Sequence, residues 1–179
     1  MKKFILSLIA LGALCLTTVA SAKTIRIGTE GAYPPWNNLN SAGELEGAEI
    51  DFGNELCKRM GADCEWVTQD WDGIIPALLN GKYDIIIAGM SITEERKEKV
   101  NFTTGYMTDG ARFAVLKNSG LADLNIAGMA KVNLNNAGGK EQAAIGQLIA
   151  AMDGKTVCVQ SSTIHQNFLE KHMSGAVDV

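Results

Sequence analysis

Two charged side chains in this 179-residue chain, Arg96 and Glu30, stand where a small ionic molecule could be held. The planar guanidinium of Arg96 can donate two parallel hydrogen bonds to the two oxygens of a carboxylate. Spacing alone favours a plainer alternative, a solvated helix charge among Glu94, Glu95, Lys97, Glu98 and Lys99. Glu30 follows a strand-like run and precedes Gly31, so it can project into a cleft and meet a guanidinium or ammonium, which needs a partner once desolvated. An ordinary surface-loop carboxylate fits those residues equally well. Ser91 follows an apolar run and can add a hydroxyl and a backbone N–H. Ser162 and Thr163 stand at a predicted helix start, where free N–H groups and the helix dipole favour an anion and where simple capping is also expected. Tyr33 and Trp71 can supply apolar area and cation–π attraction on either side of a ligand, although lone aromatics are more often core. Trp36 and Trp66 read as packing residues. No catalytic or metal constellation is visible: His165 and His172 are seven apart on a predicted helix, too far for adjacent-turn ligands, and no serine has a convincing base. No cofactor is expected.

The elements that must position these groups alternate. Residues 24–29 (TIRIGT) suit a strand, and Gly31, Pro34 and Pro35 then break it into a rigid loop. Residues 43–47 read as a turn. From 49 to 60, Ile50, Phe52, Leu56, Cys57 and Met60 fall largely on one helical face, with Gly61 placed to end the helix. A strand is predicted at 64–68 (CEWVT), then a helix over 73–79 with Asp72 as N-cap, and at 84–88 (DIIIA) an apolar strand covered on both faces. Thr93 caps the helix that carries Arg96. Beyond 110, residues 112–116 look strand-like, 118–139 mostly loop, 140–152 helical and 155–160 strand. Ser161 or Ser162 caps a helix to about 173, and a further strand begins at Val177. This order indicates βαβ units and a largely parallel sheet, with binding loops at the carboxyl ends of the strands. The second group of elements is too short to enclose a sizeable core, so either a fragment or a second lobe incomplete for some other reason is expected.

Lys2 and Lys3, the apolar run over 4–16 and Ala20-Ser21-Ala22 have the order of a secretory signal peptide over 1–22, which places the mature protein in the periplasm. Leu14 before Cys15 argues against a lipoprotein, and the apolar run is short for a membrane span. Cleavage after Ala22 removes two lysines and no acids, taking the formal net charge from −4 to −6. A mildly acidic surface argues weakly against nucleic acid or an anionic membrane and is compatible with cationic ligands or with no charge preference at all. In an oxidising compartment Cys57 and Cys64 are the natural disulfide, with Cys158 a buried free thiol in its apolar run. Two unpaired core cysteines are the alternative.

Five stretches together resemble the extracellular solute-binding proteins of polar amino-acid ABC importers, especially those for histidine, for lysine/arginine/ornithine and for octopine or nopaline. They are TEGAYPPWN (29–37), GAEIDFGNELCKRMGADC (47–64), QDWDGIIPAL (69–78), KYDIIIAGMSITEERKEKVNFT (82–103) and GKTVCVQSST (154–163). The first of these, and the long stretch before Gly154, are most like the opine binders. Cys57 with Cys64 looks like the disulfide of the basic amino-acid binders.

The resemblance implies an α/β, periplasmic-binding-protein-like fold of two lobes. Lobe one would occupy 23–110, with its first crossover at 107–110, and 111–179 would be a truncated lobe two. It implies a monomer that captures a basic amino acid or an arginine-derived opine and delivers it to a membrane permease by closing over the ligand, without chemistry. It moves Arg96, Ser91, Ser162 and Thr163 towards the ligand carboxylate, Glu30 towards its cationic end, and Tyr33 and Trp71 towards its side chain. Relatives for lysine, arginine or histidine commonly carry serines where this chain has Ala88 and Gly89. Only backbone groups remain there, and a bulkier substituent fits instead. The acid that holds the α-ammonium in the family would lie beyond Val179. A lyase or hydrolase using Glu30 as general acid or base, and a receptor's ligand-sensing module, are the alternatives on the same fold.

Overall fold

The computed structural model describes residues 24–126 and 138–179. The expected leader and residues 127–137 of the expected loop lie outside the described residues. β1 (Ile25–Thr29) is the centre of a three-stranded parallel sheet, between β5 (Cys64–Thr68) and β6 (Ile85–Ile86), with Ile27 opposite Trp66 on one side and Ile85 on the other. Alternation along β1 separates two cores. Ile25 and Ile27 face α1 (Ala48–Met60), where Cys57, Cys64, Trp66 and Ile87 gather. On the opposite face Tyr83 lies against Gly28, and Ile74, Ala88, Val67 and Met90 pack around it under α2 (Ile74–Leu79). A Cβ at Gly28 would fall 2.5 Å from the Tyr83 ring, so only glycine lets the ring lie on the strand.

Between β1 and α1 the expected rigid loop and turn are instead a small antiparallel sheet of β2 (Ala32–Tyr33), β3 (Asn37–Leu39) and β4 (Leu45–Glu46). α1 ends at Gly61 as expected, in the left-handed conformation with φ 62°. Its buried row keeps Ile50 and Cys57 of the expected apolar face but not the rest. Glu49, Ile50, Gly53 and Cys57 face inward, while Phe52, Leu56 and Met60, about 60° around the helix, are 40, 37 and 57% exposed. The Cys57–Cys64 disulfide ties the end of α1 to the start of β5.

Three local expectations change. A 3₁₀ turn over Trp71–Gly73 precedes α2, so Asp72 lies inside the helical run and does not cap it; its carboxylate accepts from Ser161 Oγ at 2.9 Å instead. The predicted strand at 84–88 pairs only over β6 and on one side, and Ile85 remains 40% exposed rather than covered. Residues 112–116 form no strand, because a strand needs a ladder partner and none lies beside them among the described residues.

The remaining elements are α3 (Glu94–Lys97), α4 (Gly139–Met152), β7 (Lys155–Thr156), α5 (Ile164–His172) and β8 (Val177–Asp178), with β7 and β8 parallel. Met152, Leu169, Met173 and Val177 are their core. The strand expected over 155–160 shrinks to two residues. Val157 and Val159 still pack on that core, so the period-2 alternation turns Cys158 outward, and its thiol is exposed, not buried. Thr163, not Ser161 or Ser162, caps α5, its hydroxyl accepting from Gln166 N at 3.2 Å.

One buried group joins the loops that follow β1 and β6. Glu49 is 2% exposed; its Oε2 accepts from Asn37 Nδ2 at 2.7 Å, and its Oε1 accepts from Gly89 N at 2.7 Å and from the Tyr106 hydroxyl. Asn37 Oδ1 in turn receives the Gly31 N–H at 2.7 Å. The turns after β1 and β6 are thereby tied to the first turn of α1.

Replacing both Cys57 and Cys64 with alanine should lower stability by about 2–3 kcal/mol, since the bridge closes a short loop in the unfolded chain; a urea titration reads this as an earlier midpoint. Burial, then the hydrogen bond and charge of Glu49, raise the pKa of Tyr106 above 10.0. Above that pH the folded chain binds more protons than the unfolded one, so stability present below pH 10.0 is lost as pH rises through the folded value. Urea midpoints measured between about pH 9 and 11 should therefore fall less steeply in Tyr106→Phe, the remaining slope including Tyr83, whose pKa burial also raises.

Candidate ligand-binding site

The carboxyl ends of β1, β5 and β6 carry Glu30, Trp71 and Ser91, and each neighbourhood meets the segment 160–162 that leads into α5. Thr93, as expected, caps α3 by accepting from Arg96 N at 3.2 Å, which sets Arg96 in the first turn of that helix. The guanidinium is half-buried rather than solvated. Nη1 donates to Ser91 O at 2.8 Å, Nη2 donates to Ser162 O at 3.1 Å, and the guanidinium carbon stands 5.3 Å from the Trp71 ring centre. Loss of water lowers the Arg96 pKa from its ordinary value, and the charge of Glu95 opposes that shift. Arginine remains charged through such a shift.

Ser162 has φ 57°, the left-handed conformation that non-glycine residues rarely adopt. Its carbonyl accepts from both Arg96 Nη2 and Trp71 Nε1, the latter at 3.0 Å. Its N–H donates to Gln166 Oε1 at 2.7 Å. Thr163, 8% exposed, donates its hydroxyl to Gln160 O at 2.7 Å while capping α5. At that helix start the Ser162 N–H, the Thr163 hydroxyl and the Gln166 N–H are thus engaged within the chain.

Glu30 does not stand alone: its Oε1 accepts from Gln160 Nε2 at 2.6 Å. Glu30 and Arg96 therefore contact residues only two apart along one segment, a chain distance of about 7 Å. Tyr33 is 39% exposed and its ring covers Gly89, where a Cβ would come within 3.1 Å. Gly89, at φ 58°, turns its N–H inward to Glu49, so that group is spent, and Ala88 is buried at 4%. Of the nine residues anticipated, Trp71, Ser91, Arg96 and Ser162 form one cluster. Glu30 joins them through Gln160, and Tyr33 lies on Gly89. Thr163 caps and Ala88 packs.

A cavity of about 570 Å³, in the range of small-molecule sites, opens beside this cluster, lined by Trp71, Asp72, Ile74, Met90, Arg96 and Ser162 among others. Its lining mixes charged and apolar groups but does not include Glu30, Tyr33, Ser91 or Gln160, so it adjoins the cluster on the Arg96 side without spanning it. No group of three or more His, Cys, Asp or Glu side chains among the described residues is arranged to hold a metal ion.

Sequence reading missed Gln160, Ser161, Asp72 and the Glu49 network. Gln160 gave no signal beyond following a strand. Glu49 did give one: it lies four and eight residues before Gly53 and Cys57, on the buried row of α1.

Comparisons with known proteins identify the family. The sequence profile of the bacterial extracellular solute-binding proteins, family 3, matches residues 25–174. The octopine-binding periplasmic protein of Rhizobium meliloti is 44% identical over 160 residues, which are 89% of this chain and 54% of that protein. The L-arginine-binding protein of Pseudomonas aeruginosa is 45% identical over 124 residues, 69% of this chain and 48% of that protein. The chain spans about half the length of these curated relatives. A periplasmic His/Glu/Gln/Arg/opine family-binding protein from Silicibacter pomeroyi, solved in complex with lysine, is 41% identical and superposes with a TM-score of 0.62, covering 87% of this chain and 56% of that one. These structural neighbours have the two-lobe α/β fold. The chain belongs to the family 3 bacterial extracellular solute-binding proteins.

Proposed function

We propose that this protein captures a basic amino acid or an arginine-derived opine outside the cytoplasm and passes it, unchanged, to an ABC importer. Residues 1–22 act as the export signal, 23–110 form the docking lobe, and 111–179 belong to the lobe that closes over the ligand. The observation that carries the reading is that a guanidinium and a carboxylate, Arg96 and Glu30, both reach one short segment, 160–162. A zwitterion with an additional positive end presents charges complementary to that pair. The named relatives bind octopine, arginine and lysine, and those reported are binding proteins rather than enzymes.

In this reading the ligand carboxylate replaces the Ser91 and Ser162 carbonyls on Arg96, because a charged acceptor makes the stronger hydrogen bond. The cationic end replaces Gln160 at Glu30. Trp71 and Tyr33 flank the stem.

A thermal-shift screen of amino acids and opines should give its largest rise with an arginine-type compound, since a ligand that binds only the native state raises the melting point. Arg96→Ala should weaken that ligand at least about thirtyfold in calorimetry, the usual cost of leaving a buried charge without its partner; unchanged affinity removes Arg96 from the site. Glu30→Gln should weaken arginine-type ligands more than neutral ones such as glutamine, and an unaltered ranking rejects Glu30 as the selector of charge.

A further inference from the structure

The crossover region that leaves the first group of elements is fastened to it by Tyr106. The ring stacks on Phe52 of α1, with centroids 5.3 Å apart and planes at 26°, and the hydroxyl donates to Glu49 Oε1. That same oxygen receives the Gly89 N–H, and the other oxygen, through Asn37, reaches the Gly31 N–H. Gly31 is adjacent to Glu30, and Gly89 lies two residues before Ser91. Among the described residues no ion pair involves Glu49, so this 2%-exposed carboxylate depends on neutral donors alone.

We propose that Glu49 and Tyr106 are positioning residues which join the crossover to both docking turns, so that the crossover moves and the turns carrying Glu30 and Ser91 set in one cooperative step. Three donors converge on one carboxylate from β3, from the turn after β6 and from the crossover. Withdrawing any one of them leaves a buried charge short of hydrogen bonds, which weakens the hold on the other two. Neither residue touches the ligand; each acts through the turn it holds. Tyr106 immediately precedes residues 107–110, so a rotation of the chain there pulls directly on the hydroxyl contact. The consequence for affinity rests on the ligand-capture reading, whereas the mechanical link does not.

Hydrogen–deuterium exchange of the protein without added ligand, compared between wild type and Tyr106→Phe, tests the link. Phenylalanine keeps the ring on Phe52 and removes only the donor. Exchange should accelerate about tenfold at 30–33 and 88–91 as well as at 105–110, with 64–68 the least affected and the melting point lowered by only a few degrees. Affinity for the best compound of the screen should fall five- to tenfold. Acceleration confined to 105–110 overturns the proposal. Glu49→Gln, which replaces one acceptor by a donor among donors, should loosen the same three segments. Phe52→Leu removes the stacking and leaves the hydroxyl, so it should leave 30–33 and 88–91 protected; loosening them as much as Tyr106→Phe does also overturns the proposal. If no amino acid or opine binds the wild type, the proposed function fails while the exchange comparison still decides this one.

Discussion

A carboxylate removed from water is costly by several kcal/mol unless donors surround it, and Glu49 is 2% exposed in the first turn of α1. The chain meets that demand with Asn37, Gly89 and Tyr106, drawn from three separate stretches. Each of these stretches leads within two residues to a group of the candidate site or to the proposed crossover, or links to one through Gly31. The apolar cores on either face of the central sheet determine that the strands assemble. The buried carboxylate determines where their ends point.

The second organising contact runs between the two groups of elements. Four side chains of the first group, Glu30, Trp71, Asp72 and Arg96, all bond to the three consecutive residues Gln160, Ser161 and Ser162. Trp71 and Arg96 share a single main-chain oxygen, and the left-handed backbone at Ser162 is what aims it at them. Such directional bonds across a seam are strong enough to hold two bodies together and individually weak enough to exchange.

Much of the parallel sheet was legible because its signals are local. The β-branched alternation of 24–29, the Gly61 stop and the β-branched, aromatic CEWVT run all correspond to observed elements. Legibility failed where a residue's environment comes from a distant segment. Asp72 resembles a cap until Ser161 engages it. Residues 112–116 have strand composition and no ladder partner among the described residues. Cys158 lies in an apolar run whose other face is exposed. For the candidate site, the grouping of Arg96, Ser91 and Trp71 was anticipated from residue type and from resemblance, Ser91 and Trp71 lying in loops after strands and Arg96 on the helix that Thr93 caps. Gln160 was not, since an amide after a strand carries no sign of the carboxylate it will meet 130 residues away.

The main-chain carbonyls on Arg96 set a threshold as well as a scaffold. If Arg96 receives the ligand's anion as proposed, that anion must first displace Ser91 O and Ser162 O, so its observed affinity is its intrinsic affinity reduced by the occupancy of those internal competitors. Weakening that competition would raise retention and slow discharge together. In the proposed capture role, such a protein would give up some tightness in exchange for turnover, with the balance set by the backbone carbonyl of residue 162.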